Sequence, residues 1–333
     1  MDRMDFTQSV VRTRVLEKRL LQRTIIERMI DAEDVETVFR ILGETEYSNQ
    51  LGKVDRPEDY DKVLSAELDR VYELMEELSP DQRVVELLLL KYDYHNLKVM
   101  VKEHILDTDF SHMYVKRGTS EILEIKADFL AGNIKGIKEE FALALQEVVD
   151  DYEKTKDPQR IDLIFDKYYY DHLFKLAKET GIELFEEYVV DLIDFTNIRT
   201  LIRLKKQNKS NKFLQEVLLP HGNIDLETIV LSLPDNIDNI INKFKNYSIS
   251  PALKQGLEDY EETGSLSHYE KYMDNHLMDL NRSSNNIHFG PEPLFSYILA
   301  KETEISILRI IMVSKINNIP PDSIRERLRD LYV

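Results

Sequence analysis

Apolar side chains recur at helical spacing along almost the whole chain. Val11, Val15, Leu16 and the pair Leu20 and Leu21 fall on one face of an N-terminal helix, the apolar stripe by which a helix docks on a core. Val35, Val38, Phe39 and Leu42 mark a short helix that Gly43 stops. Val84, Leu87, Leu88 and Lys91 begin a longer helix, and Val189, Leu192, Ile193 and Thr196 begin its counterpart further on. Breakers separate these stretches at Ser79-Pro80-Asp81, Asp157-Pro158, Leu219-Pro220-His221-Gly222 and Leu233-Pro234-Asp235. A last helix starts near Pro321 and Asp322, and the most irregular stretch is Asn281 to Pro293. Strand alternation and Asn-Gly hairpin signals are missing. With only 10 Gly and 10 Pro in 333 residues, the pattern predicts an all-α protein.

The pattern also repeats. Asp93-Tyr94-His95-Asn96-Leu97-Lys98 returns 101 positions later as Asp194-Phe195-Thr196-Asn197-Ile198-Arg199. A looser copy, Glu304-Ile305-Ser306-Ile307-Leu308-Arg309, follows after another 110. A second marker keeps nearly the same offset: Tyr60-Asp61-Lys62-Val63, Phe165-Asp166-Lys167-Tyr168 and Tyr269-Glu270-Lys271-Tyr272. A third is the pair Gly118 and Gly222, 104 apart. A period near one hundred is too long for a solenoid repeat and suits a small domain. The expected division is three homologous helical-bundle domains, 1–117, 118–221 and 222–333.

Acid and base in each copy are five positions apart, so they leave their helix on different sides and do not pair with each other. The expectation is that Asp93 and Lys98, Asp194 and Arg199, and Glu304 and Arg309 each reach different neighbouring helices and clip the bundle together, with Asn96 and Asn197 between them. Asp191, Asp194 and Asn197 also share one helix face, which would suit magnesium in a helical lyase or transferase. The sister copies carry Leu90 and Lys301 in place of Asp191, which removes the reason to read a metal site there. The eight histidines form no ligand set, and nucleophile-elbow and phosphate-loop motifs are absent, so neither a catalytic constellation nor a cofactor is expected.

Net charge narrows the partners. At -18, with 62 acidic against 44 basic side chains, the chain lacks the cationic balance of a nucleic-acid binder. The same balance disfavours direct attachment to anionic lipid. There is no cysteine, hence no disulfide framework. The N-terminus Met1-Asp2-Arg3-Met4-Asp5 has no apolar core of a signal peptide, and no apolar run approaches the roughly 20 residues of a membrane span. Arg325, Arg327 and Arg329 make the final helix basic, giving either a partner contact or a solvated face.

One family shares this ordered set of residues. Gly290-Pro291-Glu292-Pro293-Leu294, then Tyr297, Lys301-Glu302, Glu304, Leu308-Arg309 and Lys315, resemble the C subunit of archaeal-type and bacterial V-type ATPases, known as the d subunit in the eukaryotic enzyme. Ile324-Arg325-Glu326-Arg327-Leu328 and Tyr332-Val333 extend the likeness at the C-terminus. Val11-Arg12-Thr13-Arg14, Leu20-Leu21 and Leu42 to Tyr47 carry it at the other end. The resemblance implies three similar helical domains about a pseudo-threefold axis, in a funnel. It implies a non-catalytic rotor connector in the central stalk, between the D and F shaft proteins and the membrane proteolipid ring. Such a connector would transmit torque for proton or sodium transport or for ATP synthesis. It would work on the cytoplasmic face, reach the membrane only through protein partners, and be monomeric when isolated. Without the resemblance, the repeat alone also fits a generic helical partner-binding scaffold.

Overall fold

The computed structural model describes residues 1–52, 54 and 56–332. Val333, one of the residues that carry the resemblance, lies outside the described residues. Among the described residues there are seventeen α-helices, short 3-10 turns and no strand. In chain order they are α1 (Thr7–Glu17), α2 (Arg23–Ile30), α3 (Val35–Leu42), α4 (Ser48–Leu51), α5 (Tyr60–Leu78), α6 (Arg83–Leu106), α7 (Ile122–Leu130), α8 (Glu139–Thr155) and α9 (Gln159–Thr180). There follow α10 (Glu183–Lys206), α11 (Asn211–Val217), α12 (Leu226–Leu231), α13 (Ile237–Lys243), α14 (Ser250–Thr263), α15 (Ser267–Arg282), α16 (Glu292–Ile316) and α17 (Pro321–Arg327).

Helix boundaries follow the local chemistry. Asp34, Asp225 and Asn236 accept the N–H groups of Thr37, Thr228 and Asn239, capping α3, α12 and α13 at 2.8–2.9 Å. Gly181 and Gly264 end α9 and α14 in the left-handed region, where a side chain would be strained. The irregular segment before the third motif is shorter than its composition suggests: α15 runs on to Arg282 and a 3-10 turn covers Ser283–Asn286.

The chain divides into two compact units, Met1–Val85 with Asp235–Val333, and Glu86–Pro234. In the first, α14 and α15 form a hairpin, and α16 packs against α1, α3 and α5. Buried residues occur on all sides of the N-terminal half of α16, Leu294 through Lys301 without a break, so this helix is the axis of that unit's core. In the second, α8, α9 and α10 pack in sequence around Phe141, Phe165, Leu173, Phe185 and Phe195. Tyr94 joins this core, edge-on to Phe141 and Tyr169, and places its hydroxyl 3.3 Å from His172 Nδ1. His172 is thus a packing residue, and burial lowers its pKa.

One expectation from the pattern is overturned. Helix α1 ends at Glu17, and it buries Ser9, Val10, Thr13 and Glu17 while Val11 and Val15 stay 63% and 51% exposed. Leu20 and Leu21 are buried, but beyond the helix. Hydrogen bonds decide this orientation. Ser9 Oγ donates to the Leu78 carbonyl at 2.5 Å, Thr13 Oγ1 donates to the Ser9 carbonyl, and Glu17 receives Arg14 and the Tyr332 hydroxyl. Among the described residues no helix is long and apolar enough to cross a membrane.

Candidate functional site: repeat joints and a cationic cleft

In the second unit, Asp93 and Asn96 lie one turn apart on the same face of α6 and hold the chain that leads into α7. Asn96 has both a donor and an acceptor, and it uses them on one residue: Nδ2 donates to the Val115 carbonyl at 2.8 Å, and Oδ1 accepts the Val115 N–H at 2.9 Å. Asp93 has only acceptors, and it receives the N–H groups of Thr119 at 2.9 Å and Ser120 at 3.3 Å. Gly118 passes directly under this carboxylate; a methyl group there would stand 2.6 Å from Asp93 Oδ1.

Helix α10 repeats the arrangement. Asn197 exchanges hydrogen bonds with both backbone groups of Leu219, at 2.9 and 2.8 Å. Asp194 accepts the N–H groups of Asn223 and Ile224 at 3.0 and 3.1 Å. Gly222 is pressed against Asp194 so closely that a Cβ would overlap the carboxylate. The repeated glycines therefore have a contact reason. Burial pushes both Asp93 and Asp194 up to about 6, and the backbone N–H donors draw them only partly back.

The third copy uses a glutamate and a distant partner. Glu304 on α16 accepts the Leu21 N–H at 2.6 Å, the Tyr47 hydroxyl at 2.7 Å and the Lys301 ammonium at 2.7 Å. Leu21, Ser120 and Ile224 each lie two residues before a helix, α2, α7 and α12 respectively. The three acids thus grip equivalent backbone positions, and the third grips the one near the start of the chain. Ile307 replaces the asparagine, and the extra polar work falls to Lys301, which is 2% exposed. Glu67 lies 3.8 Å from Lys301 and is itself held by Arg70 in a fork of 2.7 and 2.8 Å. Burial works against the Lys301 charge, but the carboxylates prevail and its pKa is raised.

The motif bases reach another element. Lys98 pairs with Asp166 on α9, and Arg309 holds Asp61 on α5 at 2.7 and 3.0 Å. Asp61 and Asp166 occupy the same place in the second repeat marker, so two markers that look independent in the sequence are joined in space. Arg199 is half-buried on α10. In the first and third copies acid and base serve different neighbours, and the acid binds loop backbone and not a second helix. Asp191 is buried, and the oxygens of Asp194 are taken by N–H groups. Among the described residues no cluster of His, Cys, Asp or Glu could hold a metal.

The three arginines of the C-terminal segment separate. Arg325 is occupied by Glu27 at 2.9 Å, Asp31 at 2.5 Å and Asp322 at 3.1 Å, tying α17 to α2. Arg329 binds Asp274 at 2.9 Å, and Arg327 is exposed. Arg327 and Arg329 line a cleft of about 620 Å³ whose wall also carries Lys271 and Arg309, with Glu270 and Glu326 beside them. In the sequence Lys271 stands out only as a member of a repeat, and Arg309 as a member of a repeat and of the family likeness; the cleft that collects them depends on tertiary packing. Arg309 and Arg329 are paired with Asp61 and Asp274, and Lys271 and Arg327 can receive acidic side chains there.

The chain matches known proteins over most of its length. Residues 9–327 match the family model described as ATP synthase (C/AC39) subunit. The chain is 27% identical over 326 residues to the C subunit of the V-type sodium ATPase of Enterococcus hirae, covering 97% of each chain. It is 25% identical over 342 residues to the C subunit of the A-type ATP synthase of Methanocaldococcus jannaschii, covering 96% of this chain and 85% of that one. A third relative, the C subunit of the A-type ATP synthase of a Desulfurococcus species, is 26% identical over 329 residues, covering 95% of this chain and 88% of that one.

Proposed function

Because the chain belongs to the ATP synthase (C/AC39) subunit family, whose members are structural and non-catalytic, we propose that it is the central-stalk connector of a V- or A-type rotary ATPase. In this reading it sits between the D and F shaft proteins and the proteolipid ring and passes torque between them. It turns with the rotor at the cytoplasmic face and touches the membrane only through protein partners. The ions moved are protons or sodium. The three sequence copies, 1–117, 118–221 and 222–333, are proposed as three related building blocks of this connector.

The observation that carries the reading is family membership across residues 9–327, joined to the way the repeat joints are made. A torque transmitter must not yield at its joints. Here each acid takes N–H groups of a buried or half-buried turn, bonds that are costly to leave unmade. Packed interiors deform little and pass strain on. Lys271 and Arg327 give the cleft a surface for acidic partners in a chain that is otherwise strongly acidic, and Arg327 is the side chain there that we assign to partner contact. Affinity purification of the ATPase tests the assembly: the chain co-purifies with both the shaft pair and the ring. Recovery of a complete, coupled complex without it would exclude the role.

A further inference from the structure

Helix α1 is inverted relative to its own composition, and we infer from this that its outward face docks an amphipathic helix of another subunit, apolar along one stripe and acidic at its margins. The inference rests on the assembly proposed above and names a partner surface within it.

The inversion is specific. Of the three valines in this helix only Val10 is buried, beside Ser9, Thr13 and Glu17, which are each hydrogen-bonded, while Val11 and Val15 face solvent. Met4, in the 3-10 turn before the helix, is also 61% exposed, but exposed Asp2 and Asp5 flank it, so the basic face begins only at the helix itself. Val11 and Val15 stand at i and i+4 on one face, and Lys18, just past the helix end, lies at i+7 beside them. Places where a locally sensible pattern is broken are the places to look for function.

Charge selects the occupant. The exposed positions from 8 to 19 are Gln8, Val11, Arg12, Val15, Lys18 and Arg19, and none is acidic, in a chain with a net charge of -18. Arg19 already shows the complementarity, reaching Glu46 at 3.3 Å. Two copies of this face would oppose cations to cations, which disfavours self-association. An anionic bilayer would attract Arg12 and Lys18 but meet the net negative charge of the whole chain, and the stripe offers no aromatic anchor for the interface. A helix with carboxylates flanking an apolar row satisfies both features.

The test uses the assembled ATPase. A photo-crosslinking phenylalanine analogue replaces Val11 or Val15 in turn, with exposed Glu262 on α14 as the control position. The expected result is a crosslink to another protein subunit from Val11 and Val15 and none from Glu262. The Arg12→Glu, Lys18→Glu double variant, with an unchanged melting temperature, loses that crosslink and lowers occupancy in the complex about tenfold. Crosslinks to lipid alone, to a second copy of this chain, or at the control level in complexes that contain the chain would overturn the inference while leaving the assembly reading intact. Absence of the chain from the complex would overturn both.

Discussion

The backbone N–H of Leu21 donates to Glu304 Oε2 at 2.6 Å, across 283 positions of sequence. The same carboxylate holds Tyr47 and Lys301, so one side chain joins the N-terminal segment to the C-terminal core helix. Replacing it uncovers a buried ammonium. Glu304→Gln is expected to cost about 3–5 kcal/mol, because the one carboxylate left near Lys301 is the more distant Glu67, already engaged by Arg70. Urea unfolding at neutral pH measures this, and a loss below about 1 kcal/mol would mean the network is not what secures the segment.

Gly222 and Asp194 should behave as a coupled pair. Gly222→Ala forces the carboxylate away from Asn223 and Ile224 and is expected to destabilise by about 1–3 kcal/mol. In an Asp194→Ala background the added methyl has room, so the second substitution should cost clearly less. Additive costs in the double-mutant cycle would show that the contact carries no energy.

The raised carboxylates give a pH signature. Asp93 and Asp194 titrate near 6 in the folded chain, against about 3.9 when unfolded. From pH 6 down to about 4 the native state therefore holds protons that the unfolded state has not yet taken up. Their contribution is fully present below the unfolded pKa and is lost as pH rises through 6. Lowering pH from 7.5 to 5 should stabilise the wild-type chain by about 1 kcal/mol per site relative to Asp93→Asn, Asp194→Asn. A relative loss over that interval would contradict the burial argument.

Arg325 and Arg327 should separate structure from binding. Arg325→Glu sets a fourth carboxylate among Glu27, Asp31 and Asp322, and a lower melting temperature is expected. Arg327→Glu leaves the melting temperature unchanged and weakens, in a salt-dependent way, binding of the partner that enters the cleft. Equal effects of the two substitutions on stability would remove the basis for that distinction.

Much of this architecture is legible in the residues. Helix spacing, the breakers, and the recurrence of Asp93, Asp194 and Glu304 are local patterns, and Asp and Asn three positions apart necessarily share a face. The partners of those residues are not legible, because a side chain does not encode whether it meets a helix or a loop. Leu21 reads only as an apolar position, since its backbone and not its side chain bonds Glu304. The direction of α1 is hidden for a related reason: apolar periodicity places Val11 inward, whereas the bond from Ser9 to the Leu78 carbonyl, 69 positions away, holds it outward. Long-range hydrogen bonds override a short-range pattern.

In the proposed role this chain couples a rotary motor to ion movement without chemistry of its own. Proteoliposomes carrying the complete ATPase, or the ATPase assembled without this chain, should be compared for ATP hydrolysis and for ATP-driven ion uptake together. Omission should leave hydrolysis by the soluble motor running while ion uptake is lost, and adding the purified chain should restore uptake. Unchanged ion uptake in its absence would contradict the account.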